Sequence, residues 1–225
     1  MDLLLTADFL SPIYISLKVA ITATLISFVI GIVLVFIMTH TSFPGKSIIE
    51  TLIMLPMVLP PTVVGFILLY LFGRHGIAGQ WLHLLFNINL LFTVNAAIIA
   101  STIVAVPLMY QSLKIGIDNV DHDVIDAAKV DGANHVVIFR SIVIPLSKNA
   151  LLTGILFAFA RAIGEFGATL IFAGNIPGVT QTLPTAIYIA LENNERVIAG
   201  LWVIIMMVLS FILMFVIQTL RNNTK

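Results

Sequence analysis

Five long runs of apolar positions dominate the chain, and short polar stretches separate them. A helix needs about 20 mostly apolar residues to cross the hydrocarbon core of a bilayer, because that core is about 30 Å thick. The pattern therefore predicts membrane-spanning helices at residues 13–38, 51–73, 90–113, 150–172 and 197–220. The predicted fold class is all-α: one integral membrane domain over residues 1–225, built as a bundle of these helices.

A shorter apolar stretch at residues 182–191 leaves the number of spans open. It is too short to cross a bilayer alone. It fits either a half-helix that dips into the membrane from outside or part of a further span. The sequence therefore predicts five or six transmembrane helices.

The basic residues indicate the orientation of the bundle, because cytoplasmic segments of membrane proteins carry an excess of Lys and Arg. With the N-terminus outside, the outer side holds only Arg74 and Arg196 of the eleven basic residues. The inner side then holds Lys46, Lys114, Lys129, Arg140, Lys148, Arg221 and Lys225. We expect a multi-pass protein of a cytoplasmic membrane, with its N-terminus outside and its C-terminus inside.

The composition supports a membrane protein and excludes several kinds of chemistry. The chain is 60% apolar and 10% charged, whereas soluble domains are about 45–50% apolar and about 25% charged. The net charge of zero argues against binding to nucleic acid, which favours a basic excess. The absence of cysteine excludes disulfides and thiolate metal sites, and the five histidines are scattered, so no metal site is predicted.

The polar stretches are too short to hold an enzyme domain. The longest are residues 116–140 and 174–196, whereas a domain usually needs about 50 residues or more. We expect no catalytic residue and no cofactor in this chain. If transport is driven by ATP, the nucleotide is bound and hydrolysed by a partner chain.

The predicted inner loop at residues 121–141 carries the most informative pattern. Asp123 can cap a short helix by accepting backbone N–H bonds. Val124, Ile125, Ala127 and Ala128 then form a small apolar face, and Gly132 ends or bends the helix. A second helical stretch follows at residues 134–141. Physical reasoning alone leaves two interpretations open, a connector on the membrane surface or a docking knob for a partner.

This loop resembles the cytoplasmic "EAA" loop of ATP-binding-cassette (ABC) importer permeases. The family pattern is Glu-Ala-Ala, three residues, Gly, and nine residues before Ile-x-Leu-Pro. Asp126 stands at the Glu position, Ala127, Ala128 and Gly132 match, and residues 142–145 read Ile-Val-Ile-Pro. The resemblance implies a type I ABC importer permease fold. It also implies that Asp126, Ala127, Ala128 and Gly132 form the coupling helix that docks on the ATPase.

The second predicted span contains three prolines within six residues, Pro56, Pro60 and Pro61. Proline removes a helical hydrogen bond and clashes with the preceding turn, so an unbroken helix is not expected. Carbonyl groups freed in this way need partners in a membrane. The sequence favours a break facing a cavity on a translocation pathway over a purely structural kink.

The fourth predicted span contains two charges one turn apart, Arg161 and Glu165. Charges inside a membrane are costly unless they pair or face a polar interior. The favoured interpretation is a neutral pair that orients the helix. The alternative puts Arg161 on the path of an anion, and both residues are therefore candidate pathway residues.

A second resemblance covers the segment that begins at this pair. Gly-Glu-Phe-Gly-Ala at residues 164–168 and Asn-Ile-Pro-Gly at 175–178 are similar to the sulfate and molybdate branch of the same permeases. The continuation Thr-x-Thr-Leu-Pro-x-Ala-x-Tyr at 180–188 resembles the molybdate members. The resemblance implies molybdate import by alternating access, with sulfate or tungstate as the alternative substrate.

The resemblance also implies a set of partners. These are a second copy of the chain, two ATP-binding-cassette ATPase subunits on the cytoplasmic side, and a periplasmic or extracellular molybdate-binding protein, all within membrane lipid. Two other classes of function remain as alternatives, a self-sufficient secondary oxyanion transporter and a membrane scaffold that transports nothing.

Overall fold

The computed structural model describes residues 7–222, and the regular structure in that range is entirely helical. The predicted all-α class is thus confirmed. Lys225, one of the predicted inner basic residues, lies outside the described range. The helices are α1 Ala7–His40, α2 Lys46–Val58, α3 Pro61–Phe72, α4 Ile77–Phe86, α5 Val94–Asp118, α6 His122–Val130, α7 His135–Ile138, a π-helical turn Phe139–Val143, α8 Ile144–Leu146, α9 Lys148–Ile163, α10 Gly167–Ala173, α11 Leu183–Glu192 and α12 Arg196–Asn222.

Three of these helices, α1, α5 and α12, are long and apolar enough to cross a membrane unaided. Two helix pairs meet the same standard only together: α2 with α3, bent by 113°, and the segment from α7 to α8 with α9, bent by 76°. The described residues therefore hold three to five candidate crossings. The 182–191 stretch forms α11, which has ten residues and at about 15 Å is too short to cross. The number of spans remains a prediction.

The break predicted from the prolines is present between α2 and α3. After Val58, Leu59 and Pro60 are extended, with ψ angles of 142° and 135°. Pro61 then begins α3, where its missing N–H is not needed and its fixed φ suits a first helical residue. Pro56 stays inside α2, close to the end of that helix. The chain therefore turns at the paired prolines.

The predicted span at 150–172 is also broken, which was not predicted. Its first helix, α9, ends at Ile163, and α10 begins at Gly167. Glu165 Oε1 accepts the backbone N–H of Ala168 at 2.8 Å, so the carboxylate satisfies a donor in the first turn of α10. A single acidic side chain thus stabilises the start of a new helix within an apolar stretch.

The centre of the bundle is α5, which packs against α1, α2, α9 and α10. Glycines bring the neighbouring helices close to it. A Cβ atom at Gly31 of α1 would lie 2.6 Å from Met109 Cγ, and one at Gly154 of α9 would lie 3.0 Å from Met109 Sδ. Small residues serve this purpose in membrane bundles because lipid provides no hydrophobic force between helices. By contrast, α12 is mostly exposed.

Hydrogen bonds fasten the start of α1 to the helices near the other end of the chain. The backbone N–H of Leu183 in α11 donates to Ser16 Oγ at 2.7 Å. Trp202 Nε1 in α12 donates to the Phe9 carbonyl at 3.1 Å, and the two rings stack with centroids 5.6 Å apart. These contacts hold α11 and α12 beside the first turns of α1.

Candidate functional site

The short helix α6 follows directly on α5 and starts from an aspartate cap. Asp121 is the N-cap residue, and its Oδ1 accepts the backbone N–H of Asp123 at 2.9 Å. The cap predicted at Asp123 is therefore wrong by two residues. Asp123 lies in the first turn, where a negative charge is favourable next to the positive end of the helix dipole.

One side of α6 packs on the bundle and the other is exposed. Ile125 and Ala128 are partly buried against the hydrophobic cluster that includes residues of α1 and α5. Val124, Ala127 and Val130 are exposed, and Val130 retains 88% of its accessible surface. The apolar face predicted from the sequence is thus divided between both sides. The exposed half offers an apolar contact surface to another protein.

The Asp126 carboxylate lies on the exposed side of α6. Lys129 Nζ donates to Asp126 Oδ1 at 2.7 Å, and 67% of the aspartate side chain remains accessible. This hydrogen bond from Lys129 holds the pKa of Asp126 below its usual value. The position matched to the family's Glu therefore presents an ionised, accessible carboxylate.

The loop bends at Gly132, as predicted. The residue has φ of +83°, a left-handed conformation that side chains disfavour, and a Cβ there would meet nothing within 4 Å. The backbone N–H of Ala133 donates to the Ala128 carbonyl at 3.0 Å and so closes the end of α6. The glycine is therefore required by the backbone turn and not by crowding.

The second arm of the loop, residues 134–143, contacts α1. Asn134 Oδ1 caps α7 by accepting the backbone N–H of Val137 at 2.9 Å. Phe139, at the start of the π-helical turn, is buried and meets the Phe36 ring of α1 edge-on, with centroids 4.9 Å apart. A movement of this arm would therefore displace the end of α1 that carries Phe36.

The break between α2 and α3, here the first break, lies beside the break between α9 and α10, here the second break. A Cβ at Gly167 would lie 3.1 Å from Pro61 Cβ and from the Thr62 backbone nitrogen. A Cβ at Gly65 would lie 2.8 Å from Ala168 Cα. The structure thus brings Pro61 next to the segment that starts α10, whereas Pro56 lies on α2, before the bend.

The charges of the second break form an ion pair, as the favoured interpretation predicted. Arg161 Nη1 lies 2.5 Å from Glu165 Oε2. Glu165 is 1% exposed, and its other oxygen accepts from Ala168, so both carboxylate oxygens are engaged. The Arg161 side chain is partly exposed. The break therefore carries an ion pair in which both carboxylate oxygens are bonded and the arginine is partly accessible.

A second polar cluster in the membrane domain was missed from the sequence. Lys114 Nζ of α5 lies 2.6 Å from Glu50 Oε1 of α2, and the Tyr110 hydroxyl donates to the same oxygen at 3.1 Å. The available signal was positional, because Glu50 and Lys114 flank the inner ends of the second and third predicted spans. The cluster joins α2 to α5.

A cavity of about 430 Å³ lies behind α6, and His40, His122 and His135 line it together with Lys129 and Asp118. The residues in the range 7–222 contain no group of three or more His, Cys, Asp or Glu that could hold a metal ion. This cavity is therefore not a metal centre formed by the described side chains.

The family of binding-protein-dependent transport system inner membrane components matches residues 27–223. That range includes both helix breaks and the whole of α6. The chain belongs to this family. It is therefore a multi-pass inner-membrane permease subunit of such a transport system. The family resemblance that residues 126–145 indicated is confirmed.

Curated relatives of this permease include molybdenum transporters. It is 50% identical over 217 residues to the putative molybdenum transport system permease protein YvgM of Bacillus subtilis (strain 168), with 96% of each chain covered. It is 37% identical over 191 residues to the molybdenum transport system permease protein ModB of Escherichia coli (strain K12), covering 85% of this chain and 83% of that one. It is 29% identical to the sulfate transport system permease protein CysT of Salmonella typhimurium, covering 93% and 75%.

Solved structures share the permease fold. A bacterial ABC transporter involved in the import of the acidic polysaccharide alginate matches with a TM-score of 0.82 and 16% identity, over 100% of this chain and 82% of that chain. The same kind of transporter in complex with an alginate pentasaccharide-bound periplasmic protein matches with a TM-score of 0.77. At this identity the likeness concerns the fold alone. The expected type I importer architecture is thus supported by independent coordinates.

Proposed function

We propose that this chain is the permease subunit of an ATP-driven importer that moves molybdate across the cytoplasmic membrane. The observation that carries the proposal is the 50% identity, over 96% of both chains, to a putative molybdenum transport permease. Identity to the sulfate permease is lower, at 29%. Sulfate and tungstate, which are also tetrahedral dianions, are the alternative substrates. A self-sufficient secondary transporter is disfavoured because the family depends on a binding protein.

In this proposal α6 is the coupling element. The exposed Ala127 and Val130 enter a cleft on the ATPase, and Asp126 provides a carboxylate at its edge. Ala128 keeps α6 on the bundle, and Gly132 sets the angle of the second arm. Ile125 and Ala128 of α6 join the cluster that includes residues of α1 and α5, and Phe139 of the second arm meets Phe36 of α1. A displacement of the loop imposed by the ATPase would be passed to the bundle through these contacts.

The paired breaks are the proposed translocation pathway. Backbone groups released at broken helices near the middle of a membrane recur in transport sites. Pro60 and Gly164 are exposed in the single chain, one at each break. Rocking of the bundle by the coupling helices would open this region alternately to the two sides, with Pro56, Pro60, Pro61, Arg161 and Glu165 on or near the path.

The complete importer requires partners. We propose two copies of this chain, with the exposed side of each second break facing the other copy, and two ATPase subunits on the inner loops. A molybdate-binding protein delivers substrate at the outer face, where the first turns of α1 meet α11. In this proposed arrangement the N-terminus lies outside and the C-terminus inside.

The test is the metal content of a strain that lacks this gene, grown at trace molybdate. We expect cellular molybdenum to fall, and to recover when molybdate is supplied in excess or when the intact gene is returned. Tungstate and sulfate uptake are measured in the same cells. Unchanged molybdenum together with a sulfate or tungstate deficit would contradict the assigned substrate, and no deficit of any oxyanion would contradict an importer of this class.

A further inference from the structure

The helix α4 presents an apolar stripe that nothing in the described part of the chain covers. Ile77, Trp81, Leu84 and Leu85 recur at helical spacing, and between 61% and 79% of each residue's surface is accessible. This helix follows the outer end of the bent α2–α3 pair and is only ten residues long. An amphipathic helix with tryptophan on its apolar side is typical of a segment lying in the plane of a membrane interface.

A cavity of about 500 Å³ with a mixed lining adjoins this stripe, and Leu84 of the stripe is part of its wall. Arg74, Gln80, His83 and Asn89 supply its polar atoms, and apolar residues such as Phe72 and Leu90 supply the remainder. A cavity with polar donors on one part of its wall and hydrocarbon on another suits a molecule with a charged head and an aliphatic body. Its volume is large enough for a headgroup and the first carbons of an acyl chain.

The charge around this cavity is entirely positive. The chain has no Asp or Glu between Glu50 and Asp118, so the α3–α4 segment contains only Arg74, His75 and His83 as ionisable side chains of basic type. The cavity lining contains no acidic residue, and Arg74 forms no ion pair among the described residues. An unpaired guanidinium at a membrane interface favours a phosphate group, which it can bind through two parallel N–H bonds.

We propose that this cavity binds the phosphate of an anionic phospholipid from the outer leaflet, with Arg74 as the main phosphate ligand and the α4 stripe lying among the acyl chains. Gln80, His83 and Asn89 provide further hydrogen-bond donors to the headgroup. The site lies apart from the helix breaks and from α6, so it anchors the outer end of the α3–α4 segment in the membrane and takes no part in substrate movement.

The test compares the full chain with Arg74→Gln, using Arg196→Gln as the matched control. Arg196 is the other arginine of the predicted outer side and donates instead to Asn194. Delipidated protein is titrated with phosphatidylglycerol, phosphatidylcholine or inorganic phosphate, and bound molecules are counted by native mass spectrometry. We expect Arg74→Gln to weaken phosphatidylglycerol binding about ten-fold, as loss of a charged hydrogen-bonding partner does, and Arg196→Gln to leave it unchanged.

A second measurement, quenching of tryptophan fluorescence, tests what covers the stripe. In vesicles of brominated phosphatidylglycerol we expect strong quenching of tryptophan fluorescence, and Trp81→Phe should remove the quenched component. Equal phosphatidylglycerol binding by the two arginine variants would overturn the proposal. So would displacement of the lipid by millimolar inorganic phosphate, which indicates a free oxyanion site, or absence of quenching at Trp81, which indicates that a second protein surface covers α4.

Discussion

Gly132 is the residue at which a small change should have the largest functional effect. Its left-handed φ of +83° costs most residues with a side chain about 1–2 kcal/mol and Asp less, but an Asp there also adds a negative charge next to Asp131. Because its surroundings are open, substitution should reorient the turn between α6 and α7 without disturbing the core. We expect Gly132→Asp to reduce substrate uptake at least ten-fold while the protein accumulates normally in the membrane.

The matched control is Gly45→Asp. Gly45 has φ of +93° and also has nothing within 4 Å of a Cβ, but it lies in the turn before α2. This variant therefore makes the same kind of change at a left-handed glycine outside residues 121–141. If uptake by the Gly132 variant is normal, or if the Gly45 variant loses as much, the coupling role of the loop is refuted.

The Arg161–Glu165 pair should stabilise the second break. Glu165→Gln keeps an oxygen for the Ala168 N–H but leaves Arg161 without its counter-charge. We expect each single change, Arg161→Gln or Glu165→Gln, to lower the free energy of unfolding by about 2 kcal/mol, less than the about 3–5 of a fully buried pair because the arginine is partly exposed. The double variant should lose less than the sum. Thermal unfolding of the four purified proteins measures this, and strict additivity would show that the pair contributes no coupling.

At the scale of helices, the two breaks differ in how far the sequence predicted them. The break at Pro60–Pro61 follows from local chemistry, because proline has no backbone N–H to donate in any surroundings. The break at 164–166 depends on Glu165 turning to accept the Ala168 N–H while it pairs with Arg161. The sequence suggested the ion pair, but the effect of that pair on the helix depends on a backbone geometry that periodicity does not reveal.

For the loop at residues 121–141, the order of its elements was predicted correctly, but the position of its cap and the burial of its apolar face were not. Its helix, bend and second helical stretch follow from Gly132 and from the apolar positions. The error at the cap arose because Asp121 and Asp123 are equally good capping residues, and only the backbone shows which one precedes the helix. The division of the apolar face between Ile125 and Val124 depends on where the bundle lies, which is a tertiary property.

Gly65, at the contact between α3 and α10, and Gly200, on α12, differ in their surroundings. Replacing each by alanine should change the stability of the protein in opposite directions. A Cβ at Gly65 would meet the Ala168 backbone at 2.8 Å, whereas one at Gly200 of α12 would meet nothing within 4 Å. Gly65→Ala should therefore destabilise the protein by about 1–3 kcal/mol through overpacking. Gly200→Ala should stabilise it by up to about 1 kcal/mol through helix propensity. Both predictions are checked by unfolding midpoints measured in the same detergent. An equal shift in both variants would mean that the two breaks are not tightly packed.

At the scale of the whole molecule, apolar run lengths located the helical regions but not their bends. Run length reports composition, and the 113° turn between α2 and α3 leaves the composition apolar throughout. The placement of α5 at the centre was not predicted either. This helix is less apolar than α1 and α12, but composition does not show which helices surround it. The burial of α5 depends on small residues in its neighbours, such as Gly31 and Gly154.

The orientation of the chain can be measured directly because it contains no cysteine. Val130→Cys on α6 and Val197→Cys on α12 each place a thiol at a residue more than three quarters exposed. In intact spheroplasts, a membrane-impermeant maleimide should label the Val197 variant and should reach the Val130 variant only after the membrane is opened. The reverse pattern would place α6 outside and would remove the basis for docking on a cytoplasmic ATPase.

The neutrality of the second break has a kinetic consequence for the pathway proposed above. A dianion that meets Arg161 also meets the Glu165 charge 2.5 Å away, so the electrostatic well at that point is shallow. A shallow well means a short residence time, because an ion leaves a binding site quickly only where its binding there is weak. Selectivity and capture would then be properties of the protein that presents the ion, while the membrane domain contributes throughput.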